Sequence, residues 1–214
     1  REPEIADLAN FLLKMGAEIE GIGTSRLSVK GVPLLRPVSY EVIPDRIEAA
    51  TYLSALAVCG GEVRLLDARS EHMEMLLRKL EEMGMEWRED DYGLVAQVRE
   101  RLQSVDVSTL PYPGLATDYK PFLVTALCVS QGAGMVTENI FAGRFRYIDE
   151  LVRMGAEIRA EGRHAVVRGV KRLSGAPVRA HDIRAGAALV VAGLVADGET
   201  VISDAHHVDR GYED

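Results

Sequence analysis

Apolar residues in this chain recur in two alternating rhythms. In the first they fall at helical spacing, as at Ile5, Leu8, Phe11, Leu12 and Met15, and the run then stops at Gly16. The same ending returns in Leu80-Glu81-Glu82-Met83-Gly84 and again in Leu151-Val152-Arg153-Met154-Gly155. A glycine just past the last periodic residue is a helix stop, because it alone enters the left-handed conformation without steric cost. Beyond each stop the pattern predicts a short strand pair across a polar turn. The clearest is Ala156–Ala160 followed by Ala165–Arg168, with counterparts at Arg26–Val29 and Leu94–Val98.

The second rhythm is apolar on every side. Ile47–Cys59, Phe122–Val129 and Ala187–Leu194 have no polar face, so each is predicted to be a buried helix. Each follows an aspartate (Asp45, Asp118, Asp182) and leads into a strand, at Glu62–Leu66, Met135–Glu138 and Thr200–Ser203. Strand-like segments precede them at Tyr40–Ile43, Val105–Ser108 and Pro177–Ala180. The repeating unit is therefore βαβαββ, with copies about seventy residues apart. Helices that are apolar all round must be covered by something, so sheets are expected to wrap around them. That is an inside-out α/β barrel, with buried helices at its centre.

Composition adds limits. A chain of 214 residues with 47% hydrophobic and 27% charged residues can bury a proper core in one or two domains. A net charge of −8 argues against a nucleic-acid partner. It does not argue against small anions, which a few local arginines can hold. Cys59 and Cys128 offer neither a disulfide framework nor metal-ligand spacing, and their places near the ends of buried helices read as small core residues. No apolar run reaches the length of a membrane span, and no signal-type region is present, so a cytoplasmic protein without membrane association is expected. The chain opens on Arg1 rather than Met, which reads as a piece of something longer.

Several residues carry chemistry. Asp118 suits a general base, since a hydroxyl is a poor nucleophile until a positioned carboxylate accepts its proton. It suits a helix cap equally well, as do Asp45 and Asp182. Arg184 stands in the first turn of a predicted helix, where the dipole disfavours a cation, so an anionic partner is indicated. A salt bridge to Asp182 or Asp45 would serve the same end. The His206-His207 pair has no further ligands at useful spacing. The glycines at 60, 61, 132 and 134 follow helices rather than preceding them, opposite to what phosphate binding needs.

Taken in order, Arg1-Glu2-Pro3-Glu4-Ile5, Pro44-Asp45-Arg46-Ile47-Glu48, Ala116-Thr117-Asp118, Thr137-Glu138-Asn139-Ile140-Phe141, Arg144-Phe145, Asp182-Ile183-Arg184-Ala185, Leu194-Val195-Ala196-Asp197-Gly198 and His207-Val208-Asp209-Arg210-Gly211-Tyr212 resemble the enolpyruvyl transferase family. Within it they are most similar to members that act on UDP-N-acetylglucosamine in cell-wall synthesis. The resemblance implies two domains with a cleft between them. Residues 1–42 would finish the first, on the UDP-sugar side, and residues 43–214 would form most of the second, with the crossover near Pro44. It implies transfer of the enolpyruvyl group of phosphoenolpyruvate to the 3-hydroxyl of UDP-N-acetylglucosamine with release of phosphate, without a metal or other cofactor.

By the same resemblance, Asp118 takes the hydroxyl proton. Arg184 and Arg210, joined by Arg144, hold the carboxylate and phosphate of phosphoenolpyruvate. Asp182 orients those arginines or contacts the reacting centre, and Ile140 and Phe141 border the uridine-diphosphate sugar. About half of the family's chain, with its N-terminal Lys-Asn pair and the cysteine that protonates phosphoenolpyruvate, would lie outside this sequence. A missing N-terminal half is thus a possible partner, and the chain alone is expected to be inactive. Two departures stand out. Ala142-Gly143 replaces a polar, often acidic residue after the Ile-Phe pair, and Tyr119-Lys120-Pro121 stands where a glutamine is common. The alternatives are a shikimate-pathway enolpyruvyl transferase of the same fold and a non-catalytic binding or scaffold module.

Overall fold

A computed structural model describes residues 1–141 and 143–212 and divides into two compact units, 1–45 and 46–214. In the first unit, helix α1 (Pro3–Lys14) starts with Pro3 in its first turn, where a missing N–H costs nothing. It stops at Gly16, whose φ is +101°. An antiparallel pair follows, β1 (Glu18–Glu20) with β2 (Ser28–Lys30), in register Ile19↔Val29. Tyr40 is drawn onto α1. Its hydroxyl donates to the Asp7 carboxylate at 2.8 Å and its ring lies 5.1 Å from that of Phe11.

The second unit is built on three helices: α2 (Arg46–Cys59), α4 (Lys120–Val129) and α6 (Ile183–Gly193). These pack on one another, as their all-round apolar sequences require. In α4 every residue from Lys120 to Cys128 is buried. Side-chain hydroxyls tie the three together: Ser54 donates to the Phe122 carbonyl at 3.0 Å and Thr125 to the Ala188 carbonyl at 3.4 Å.

Sheets cover the outside. Strands β3 (Gly61–Leu66), β4 (Glu86–Asp90) and β5 (Gly93–Val98) form an antiparallel sheet in the order β3-β5-β4, packed on α2. Strands β6 (Val107–Ser108), β7 (Ala133–Thr137), β8 (Glu157–Glu161) and β9 (His164–Arg168) form a second sheet in the order β6-β7-β9-β8, packed on α4. Against α6 lies β13 (Val201–Ser203), paired in parallel with β11 (Pro177–Arg179). A further parallel pair joins β10 (Leu173–Ser174) to β12 (Ala196–Asp197). The amphipathic helices α3 (Glu74–Met83) and α5 (Tyr147–Arg153) each precede a sheet's last hairpin and end at Gly84 and Gly155, with φ of +109° and +87°.

Three readings need correction. Residues 40–43 form no strand. A strand exists only with a ladder partner, and Tyr40 is instead committed to Asp7 and Phe11. The segment Val105–Ser108 narrows to β6, because only Val107 and Ser108 align with β7. Cys128 is fully buried as expected, but Cys59 is exposed, since it is the final residue of α2, where the helix meets solvent.

Candidate active site

Two loops meet beside the N-terminal end of α4. One is the tight 3₁₀ turn Thr117–Tyr119, which delivers Asp118 half-exposed. The other runs from the end of β7 to α5 and carries Glu138, Ile140, Phe141 and Arg144. The Arg144 guanidinium binds the Asp118 carboxylate at 2.9 Å and donates to the Thr117 hydroxyl at 3.3 Å. Its face also lies over the Phe141 ring, 5.5 Å from the centroid.

Beneath this pair lies a second, fully buried one. Lys120 Nζ sits 2.7 Å from the Glu138 carboxylate, and both side chains are 0% exposed. The ammonium also donates to the Arg144 carbonyl at 2.6 Å and lies 4.1 Å from the centre of the Phe145 ring. Glu138 collects four more donors. The Thr109 and Thr117 hydroxyls each reach it at 2.7 Å, and the Ile140 and Phe141 amides at 2.7 and 3.1 Å. Burial pushes the Glu138 carboxyl up. The hydrogen bonds from Lys120, the two threonines and the Ile140 amide outweigh it and hold the group at about 2. Burial lowers Lys120, and Glu138 opposes that shift.

Phe141, Arg144 and Asp182 line one cavity of about 490 Å³, together with Gly143, Arg146 and Tyr147. The Tyr147 ring is buried, burial raises its phenol, and its hydroxyl has no hydrogen-bond partner among the described residues. Asp182 caps α6, its carboxylate accepting the Ala185 amide at 2.8 Å. Among the described residues Asp118 caps nothing through its side chain; its structural partner is Arg144.

Arg184 follows in the first turn of α6 and, among the described residues, forms no ion pair with Asp182. Arg210 is exposed on the segment crossing the start of α6. There Gly211 leaves no room for a Cβ, which would stand 2.5 Å from the Ile183 side chain. Tyr212 fastens the same segment to α2 through a 2.6 Å bond with Thr51. Arg210 is thereby kept at the Arg184 end of the helix, though among the described residues no contact links either arginine to the Asp118–Arg144 pair.

Ile140 is half-buried and Phe141 exposed. Their amides are already committed to Glu138, which leaves their side chains and carbonyls for other contacts. Ala142 lies outside the described residues. His206 and His207 stack on each other with centroids 4.2 Å apart, and among the described residues no cluster of three metal-ligating side chains occurs.

Sequence reasoning passed over the Lys120–Glu138 pair and Tyr147. Lys120 did carry a signal, being the one charge on an otherwise apolar helix. Glu138 carried only its place in the Thr137–Phe141 motif, because a polar residue at a strand end is ordinary.

A fold of helices sheathed in sheets has clear counterparts. Residues 1–214 match the family described as EPSP synthase (3-phosphoshikimate 1-carboxyvinyltransferase), and the chain belongs to that family. Among its curated relatives are proteins named UDP-N-acetylglucosamine 1-carboxyvinyltransferase from Trichlorobacter lovleyi and Granulibacter bethesdensis, 48% and 50% identical over the whole chain. The chain spans about half, 51%, of the length of each. Of solved structures, the enolpyruvyl transferase NikO from Streptomyces tendae superposes with a TM-score of 0.86 at 26% identity, over all of this chain and 52% of that one. EPSP synthase from Acinetobacter baumannii, at 20% identity and a TM-score of 0.72 over 95% of this chain and 51% of that one, shares the fold. No helix among the described residues is long and apolar enough to cross a membrane.

Proposed function

We propose that this chain contributes one side of the active site of an enolpyruvyl transferase that joins phosphoenolpyruvate to the 3-hydroxyl of UDP-N-acetylglucosamine. The observation that carries the reading is the Asp118–Arg144 pair, 2.9 Å apart, beside a cavity walled by Arg144, Arg146 and Asp182. A carboxylate that can take a hydroxyl proton thus stands next to forked donors that match a planar anion. The name shared by the relatives near 50% identity supports UDP-N-acetylglucosamine over a shikimate acceptor, for which the family's description and the fold-level likeness at 20% speak.

In this mechanism the 3-hydroxyl oxygen bonds to carbon 2 of phosphoenolpyruvate while Asp118 accepts its proton. Carbon 3 is protonated by an acid that this chain does not supply. Phosphate then leaves carbon 2 as carbon 3 returns a proton, restoring the double bond. Arg144, Arg184 and Arg210 hold the carboxylate and phosphate, and their charge matters most as phosphate departs. Asp182 keeps Arg184 in place by capping its helix. Ile140 and Phe141 offer apolar surface to the nucleotide sugar. Residues 1–42 belong to the first domain and 43–214 to the second, whose three helices and sheets make up most of an inside-out barrel. The remaining part of the cleft comes from residues beyond this chain, a possible N-terminal half, and the setting is the cytoplasm.

Titration of the chain with UDP-N-acetylglucosamine, alone and with phosphate, tests the reading. Binding should occur and be lost in Asp118→Ala. A well-folded sample with no binding would remove the support for this acceptor.

A further inference from the structure

The buried Lys120–Glu138 pair calls for an account. Two charges taken fully out of water rarely add net stability over apolar residues of the same size, so a reason other than stability is indicated. The bond pattern supplies one. Glu138 takes donors from three separate segments: Thr109 after β6, Thr117 and Lys120 around the 3₁₀ turn, and the Ile140 and Phe141 amides after β7. Because the Thr117 hydroxyl spends its single proton on Glu138, only its lone pairs face Arg144, which donates into them at 3.3 Å. The Arg144 carbonyl is meanwhile pinned by Lys120 at 2.6 Å. Arg144 is held at both its backbone and its guanidinium, and its other terminal nitrogen meets Asp118.

We propose that Glu138, neutralised by Lys120 and acting through the Thr117 hydroxyl, is the positioning residue that aims the Arg144 guanidinium at Asp118. Glu138 touches no substrate in this scheme. It fixes the direction in which Thr117 donates, and so fixes what Arg144 can do. The catalytic consequence rests on the reading proposed above, whereas the positioning does not.

The test uses the ¹⁵N-labelled chain. A guanidinium held through both terminal nitrogens rotates slowly, so its Nη protons should give separate resonances, assigned by their loss in Arg144→Lys. Thr117→Val keeps the side chain's shape but removes the hydroxyl. It should average the Arg144 resonances while the backbone spectrum and the buried Lys120 ammonium signal stay in place, and Thr117→Ser should restore them. The paired change Lys120→Gln with Glu138→Gln leaves no lone buried charge and should average them as well. Affinity for UDP-N-acetylglucosamine should fall about tenfold in Thr117→Val and recover in Thr117→Ser, the scale of one charge-assisted hydrogen bond. Unchanged Arg144 resonances in Thr117→Val or in the paired variant would overturn the proposal. If those resonances respond as expected but the unmodified chain does not bind the nucleotide sugar, the positioning stands and the acceptor assignment falls.

Discussion

At the scale of single residues, the site depends on which charges are paired and where. Asp118 and Arg144 are half-exposed, so their ion pair contributes little to stability and is free to exchange for a ligand. Lys120 and Glu138 are fully buried, and breaking that pair has a cost. The Glu138 carboxyl sits at about 2, below its ordinary 4.5, because its donors outweigh burial. A depressed folded-state value means that its stabilisation is complete above about pH 4.5 and is lost as the pH falls through about 2. Urea midpoints at pH 5, 3 and 2 should therefore drop steeply, by on the order of 3 kcal/mol across the range. The paired Lys120→Gln, Glu138→Gln variant should drop less; an equal drop would place the acid sensitivity elsewhere. Asp118 and Arg144 were open to reading from the sequence because motif and residue type both pointed at them. Glu138 was not, since its importance lies in five donors brought together by the fold.

At the scale of elements, glycines decide where segments can touch. Gly169 ends β9 with its backbone against the Ser130 carbonyl, and a Cβ there would stand only 1.7 Å from that oxygen. Backbone cannot yield by that amount, so Gly169→Ala should destabilise the second sheet by several kcal/mol, to be measured by thermal unfolding. The helix stops at Gly16, Gly84 and Gly155 followed from local pattern, and all three have positive φ. Helices α2, α4 and α6 were equally legible, because a segment without a polar face has one possible place. Strands were less so. Residues 40–43 have strand-like composition and no ladder, and β6 keeps just the two residues that meet β7. Strand formation depends on a distant partner, which local composition does not encode.

At the scale of the whole molecule, the core cluster of the second unit runs from Ile47 onward and joins all three central helices. Leu127 is fully buried at their centre, so Leu127→Ala should cost about 2–5 kcal/mol, read from the urea midpoint. A loss below about 1 kcal/mol would mean that the three helices do not enclose Leu127 tightly. What the sequence determined by itself is everything carried by period and by end signals: the alternation of buried and amphipathic helices, the glycine stops, and membership of the enolpyruvyl transferases. Those follow from spacing along one chain, which needs no partner to be read. The tertiary structure decided which polar groups face one another. It set Arg144 on Asp118 and Thr117, buried Lys120 on Glu138, left Cys59 exposed while enclosing Cys128, and used Asp182 rather than Asp118 as a cap. The Arg144 and Lys120 contacts join residues from different segments, and a hydrogen bond or ion pair requires a few ångströms of proximity that packing of the helices and sheets alone supplies.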